Sequence, residues 1–184
     1  MIFLPQTIPD ILLIEPIIHN DERGYFVETF KQKLLDEALG YQVNFIQDNE
    51  SKSTSKGMLR GLHYQLPPYT QNKLVRVIKG EVLDVAVDIR RDSPSFRKYV
   101  SVVLSDENKK QLFIPGGFAH GFIVLSEGAT FVYKVDAYYS AEHEEGIAYN
   151  DKDLDIDWRF LEKEIILSKA DQNYSGLSDN KKLF

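Results

Sequence analysis

Five turn signals, Pro67-Pro68, Lys79-Gly80, Ser93-Pro94, Pro115-Gly116-Gly117 and Glu127-Gly128, divide the middle of this chain into short segments. The residues between them alternate. In 81–90, Leu83, Val85, Val87 and Ile89 share one face, and Asp84, Ala86, Asp88 and Arg90 share the other. In 130–135, Phe131, Tyr133 and Val135 face together, opposite Val132 and Lys134. Short alternating strands at this spacing predict an antiparallel sandwich or barrel rather than a βαβ sheet. An aromatic content of 12% points the same way. Helical periodicity is clear in one place only, where Phe30, Leu34, Leu35, Ala38 and Leu39 form a stripe and Gly40 follows as a stop. There is no internal repeat and no Gly/Ser linker, so residues 1–184 read as one domain with short peripheral helices. The polar segment after Ser168 reads as a loose terminus.

Composition removes several functional classes. With 43% hydrophobic residues the chain has apolar surface enough to offset its ordering entropy, so it is not intrinsically disordered. It has no cysteine, which excludes disulfides, thiolate metal sites and cysteine nucleophiles. A net charge of −6 speaks against long nucleic acid, whose binding rests on phosphate neutralisation, while a small anionic ligand needs only a few converging cations. No apolar run reaches the roughly 18 residues of a membrane span, and the first residues lack a basic leader. The expected location is the cytoplasm, with no membrane partner.

Four histidines are candidates for chemistry: His19, His63, His120 and His143. His63 lies on a strand-like run that enters the turn 66–70, and the chain returns through Lys73. A hairpin folded about Pro68 would place positions 63 and 73 opposite each other, with Cβ atoms about 5 Å apart. That would set a base beside a cation. Arg60 would then face away from His63 unless Gly61 marks a bulge. A metal is not expected, because two histidines with no carboxylate at ligand spacing fall short of the three or four ligands such a site needs. A histidine, a lysine, strand tyrosines and arginines instead suit proton transfer next to a carbonyl. The histidine would serve as base, the cation would stabilise an enolate, and Tyr133 or Tyr139 would return the proton.

Five segments carry a more specific signal: DERGYFVE (21–28), QDNES (47–51), GMLRGLHYQLPPYTQNKLVRVIKGEVLDVAVDIRRDSP (57–94), IPGGFAHGFIVLS (114–126) and VYKVDAYYSAEHEEGIAYND (132–151). In this order they resemble the RmlC-type family, the dTDP-4-dehydrorhamnose 3,5-epimerases, from about residue 10 to Asp171. The resemblance implies an all-β, cupin-like jelly-roll barrel, a homodimer, no metal or organic cofactor, and a dTDP-linked 4-keto-6-deoxysugar inverted at carbons 3 and 5 on the route to dTDP-L-rhamnose. By matching position it implies His63 as the base, Asp171 as its orienting carboxylate, Tyr133 as the acid on the opposite face of the sugar, and Lys73 beside the carbonyl oxygen. It further implies that Arg23, Glu28, Gln47, Asp48, Asn49, Arg60, His120, Tyr139 and Glu144 belong to the substrate site. Phe26 would stack near the base from a neighbouring subunit, through exchanged N-terminal strands that would otherwise be left as an unpaired edge. Three positions depart from the family pattern: His19 replaces a large aromatic, Ala170 a frequent lysine, and Tyr149 a common tryptophan. The competing readings are a relative acting at one carbon only, a metal-dependent cupin, and a non-catalytic sugar-binding module.

Overall fold

The computed structural model describes residues 1–180 and 182–184. In chain order the strands are β1 (Ile2–Pro5), β2 (Leu12–Glu15), β3 (Ile18–Asp21), β4 (Gly24–Val27), β5 (Gln47–Ser53), β6 (Leu59–Gln65), β7 (Lys73–Lys79), β8 (Glu81–Asp88), β9 (Tyr99–Ser105), β10 (Gln111–Ile114), β11 (Phe118–Val124), β12 (Ala129–Val135) and β13 (Glu144–Gly146). Helix α1 (Gln32–Leu39) sits between β4 and β5 and ends at Gly40, whose φ of 76° lets its N–H close the last turn onto Asp36 O. Two antiparallel sheets, ordered β1-β2-β10-β7-β12-β5 and β13-β6-β11-β8-β9, form a jelly-roll barrel, and β3–β4 stands apart as a two-stranded hairpin.

Alternation decides which residues meet inside. Val75, Val77, Val82, Ala86, Leu112, Phe122 and Phe131 pack between the sheets. The other face of β8, with Leu83, Val85, Val87 and Ile89, belongs to a separate core outside the five-stranded sheet. The more polar face of β8, carrying Asp84, therefore points into the barrel, because the apolar face is covered by the chain's last third.

That cover corrects the expectation of a loose terminus. Ile166 bridges Met58 in parallel, Leu177 is buried, and Trp158, Leu183 and Phe184 pack on the same outer core. Burying one leucine fully contributes roughly 1.5–3 kcal/mol, so these few side chains suffice to dock the segment.

The hairpin about Pro68 is not formed. β6 pairs with β11 and β13 in one sheet, whereas β7 pairs with β10 and β12 in the other. Residues 66–72 cross between sheets. His63 and Lys73 consequently face each other across the barrel rather than along a ladder.

Candidate active site

A cavity of about 490 Å³ has walls that include His63, Lys73, His120, Tyr133, Asp171 and Tyr174. The expected bulge in β6 shapes it. His120 pairs with His63 and Phe122 with Arg60, so Gly61 and Leu62 together oppose Gly121. Gly61 has φ +117°, and a Cβ there would stand 2.6 Å from Gly121 Cα. Only glycine fits, and the extra residue turns Arg60 to the same side as His63.

The His63 Nε2 and Asp171 Oδ1 atoms are 2.6 Å apart. Asp171 is buried, and its second oxygen accepts a 2.7 Å hydrogen bond from Ser168 Oγ, which in turn accepts from the Asp171 N–H at 3.1 Å. Burial alone would raise the Asp171 carboxyl. The bonds from His63, Ser168 and the Gly61 backbone outweigh it and hold the group below the usual carboxylate range. The carboxylate thus stays charged beside the imidazole.

Lys73 enters from the opposite sheet. Burial pushes its ammonium down to about 8, against the pull of Asp84 and Glu144. Tyr133 is raised by burial and by Glu144, with Arg60 acting the other way, so its phenol remains protonated at neutral pH. His120 Nε2 lies 2.9 Å and 3.1 Å from the two oxygens of fully buried Asp84. Arg60 donates to Ser53 Oγ and Lys52 O. At the mouth, Tyr139 donates to Glu144 at 2.7 Å, which pushes the phenol up to about 12.

The remaining expected residues lie elsewhere. Asn49 is the cross-strand partner of Tyr133, and Gln47 that of Val135; these two side chains share the inner face of β5 and bond each other at 2.8 Å. Asp48 falls on the outer face by strand alternation and pairs there with Lys134 at 2.8 Å. Arg23 pairs with Asp21, Glu28 with Lys31, and Phe26 is 65% exposed. None of these three lines the cavity of its own chain.

Sequence reasoning passed over Asp84, Gln71, Ser168 and Tyr174. Ser168 had a signal, since Ser-x-x-Asp is a hydroxyl-to-carboxylate spacing at a helical turn. Asp84 had one too, as a carboxylate inside a strand otherwise built for burial. The other two had none.

Among the described residues no group of three or more His, Asp or Glu side chains is placed to hold a metal ion, and no helix is long and apolar enough to cross a membrane. A base–carboxylate pair, a cation and a protonated phenol around one cavity can move protons beside a carbonyl. Fold and site together describe a jelly-roll enzyme of the acid–base, proton-transferring class. The family model "dTDP-4-dehydrorhamnose 3,5-epimerase" matches residues 5–179, and the chain belongs to that family. The protein of that name from Shigella flexneri is 61% identical over 84% of this chain and 85% of its own. The Legionella pneumophila 3,5-epimerase structure, in complex with dTDP-4-keto-L-rhamnose, superposes with a TM-score of 0.92 at 50% identity, covering 96% of this chain and 93% of that one. More distant is ChmJ, a 3'-monoepimerase from Streptomyces bikiniensis, with a TM-score of 0.87 at 31% identity over 95% and 87% of the two chains.

Proposed function

We propose that this chain inverts carbons 3 and 5 of dTDP-4-dehydro-6-deoxy-D-glucose, giving dTDP-4-dehydro-L-rhamnose for dTDP-L-rhamnose synthesis in the cytoplasm. The carrying observation is the His63–Asp171 pair sharing one cavity with Tyr133 and Lys73. The ketone at carbon 4 acidifies the hydrogens on both neighbouring carbons. His63 removes one of them through the ring nitrogen that Asp171 does not engage, and Asp171 stabilises the imidazolium. Lys73 holds the negative charge that develops on the carbonyl oxygen. Tyr133 delivers a proton to the opposite face, and the carbonyl re-forms. Only protons move, so the chemistry balances without a redox partner.

The binding assignments divide by position. Arg60, His120, Tyr139 and Glu144 stand at the cavity and suit the nucleotide-sugar, with Gln47 and Asn49 one strand further along. Arg23, Phe26 and Glu28 sit on or directly after the β3–β4 hairpin and do not line their own cavity, which favours a homodimer in which they serve the partner's site. Asp48 faces outward with Lys134, so a direct contact with substrate is not supported within one chain.

A single-carbon epimerase is the second reading, favoured only by the 31% likeness to the 3'-monoepimerase. The experiment is NMR of product from dTDP-4-keto-6-deoxyglucose in deuterated water. Deuterium at carbons 3 and 5 of the inverted sugar is expected. Label and inversion at one carbon alone would replace the first reading by the second.

A further inference from the structure

Gly146 is the direct cross-strand neighbour of His63 in the β13–β6 ladder. A Cβ at Gly146 would lie 2.5–2.6 Å from three ring atoms of Tyr174. The tyrosine ring therefore occupies the space that a side chain at position 146 would fill. Gly146 does not adopt the left-handed backbone region, so steric room for this ring, and not backbone conformation, demands glycine here. The same ring meets the His63 imidazole in a T-shaped contact, with centroids 5.7 Å apart and planes at 69°. It lies three residues beyond Asp171, on a segment tied to β13 and the chain just after it by Ala148 N–H to Ser175 O at 2.9 Å and Asn180 Nδ2 to Gly146 O at 3.2 Å. The Tyr174 hydroxyl makes no hydrogen bond among the described residues, and the residue's contact with His63 is made by its ring.

We infer that Tyr174 is a positioning residue for the epimerisation, its ring seated in the slot left open by Gly146 and holding the His63 imidazole in line with Asp171. His63 can rotate about two side-chain bonds, and Asp171 fixes only one ring nitrogen. A T-shaped aromatic contact with the imidazole restricts the remaining freedom. This inference rests on His63 acting as the base.

The test is a set of four variants of the full chain, read by steady-state kinetics and by the low-field NMR proton of the His63–Asp171 hydrogen bond. Tyr174→Phe keeps the ring and is expected to stay within about twofold of wild type. Tyr174→Ala is expected to lower kcat by roughly 10- to 100-fold, the scale of a misplaced catalytic group, with KM within about threefold and the low-field proton broadened. Gly146→Ala, which retains Tyr174 but drives its ring out, is expected to reproduce both changes. The double variant Gly146→Ala/Tyr174→Ala should be no worse than Tyr174→Ala alone, because the added methyl then has no ring to displace. Additive losses would overturn the inference, as would Tyr174→Ala with wild-type kcat and an unchanged proton. Damage in Tyr174→Phe equal to that in Tyr174→Ala would move the role to the hydroxyl and overturn it too. Should His63→Ala keep full activity, the base assignment fails by itself, while the NMR signature still decides whether Tyr174 holds the ring.

Discussion

The imidazole of His63 and the carboxylate of Asp171, 108 positions apart in the chain, are joined by a 2.6 Å hydrogen bond. One belongs to a barrel strand, and the other to a one-turn 3-10 segment docked on the barrel's outer core. The dyad thus exists only while the last third of the chain stays docked.

Asp171→Asn is expected to lower kcat by about 10²- to 10⁴-fold with the fold intact, since an amide in place of the carboxylate mis-sets the imidazole tautomer and withdraws its charge. Steady-state kinetics beside a thermal melt checks this. A variant with normal kcat would remove Asp171 from the mechanism.

Tyr133→Phe separates removing a proton from returning one. The ring still packs near Phe131, at the 6.1 Å centroid distance seen here, so the barrel should hold. His63 still forms the enolate and returns the proton on the original face. In deuterated water, label is expected in unchanged substrate with little inverted product. Inversion at a normal rate would point to Tyr139 or water as the acid.

Lys73 predicts the alkaline side of the pH profile. Its ammonium, pushed down to about 8 by burial, is present below that pH and lost above it, so kcat should fall as pH rises through about 8. The linkage sign for stability is opposite to the usual one. Between about 8 and the ordinary 10.5 the unfolded chain binds the extra proton, so this group makes stability rise with pH there, and below 8 it opposes folding in full. Lys73→Met is therefore expected to lower kcat by roughly 10²- to 10³-fold yet raise Tm at pH 7, by about 2–4 °C for each kcal/mol recovered. A lower Tm at pH 7 would contradict the burial argument.

The proposed dimer with shared sites predicts complementation. His63→Ala and Arg23→Ala should each be nearly inactive as pure proteins. Refolded together, mixed dimers would contain one site with an intact His63 and the partner's intact Arg23. Activity is expected to return to roughly a quarter of wild type, from random pairing of subunits. No recovery, or a monomeric mass with full activity, would put the site within one chain.

Much of this protein was legible from its residues alone because local rules are strong where neighbours agree. The two-residue alternation of 81–90 and 130–135 became β8 and β12, the apolar stripe before Gly40 became α1, and the bulge at Gly61 followed from a glycine inside a strand. Periodicity is a property of adjacent residues, so it can be read without a partner. The ordered motifs around His63, His120 and Tyr133 pointed to the family for a related reason, since a site built on strands leaves its spacing in the sequence.

What lay beyond reach depended on which faces meet. Nothing in 81–90 says that the side carrying Asp84 turns inward; that follows from the segment ending at Phe184 covering the apolar side. The turn at Pro67-Pro68 gave no sign of crossing between sheets, because a tight turn looks the same whether the strands beside it pair or part. Asp48 and Asn49 are consecutive, yet pairing with β12 fixes which of them lies on the inner face. The pairing of Tyr174 with Gly146 was the least legible, since a missing Cβ and a ring 28 positions later have meaning only once both stand beside His63. Sequence sets the local conformations, but burial is a relation between distant segments, and only the packed chain decides it.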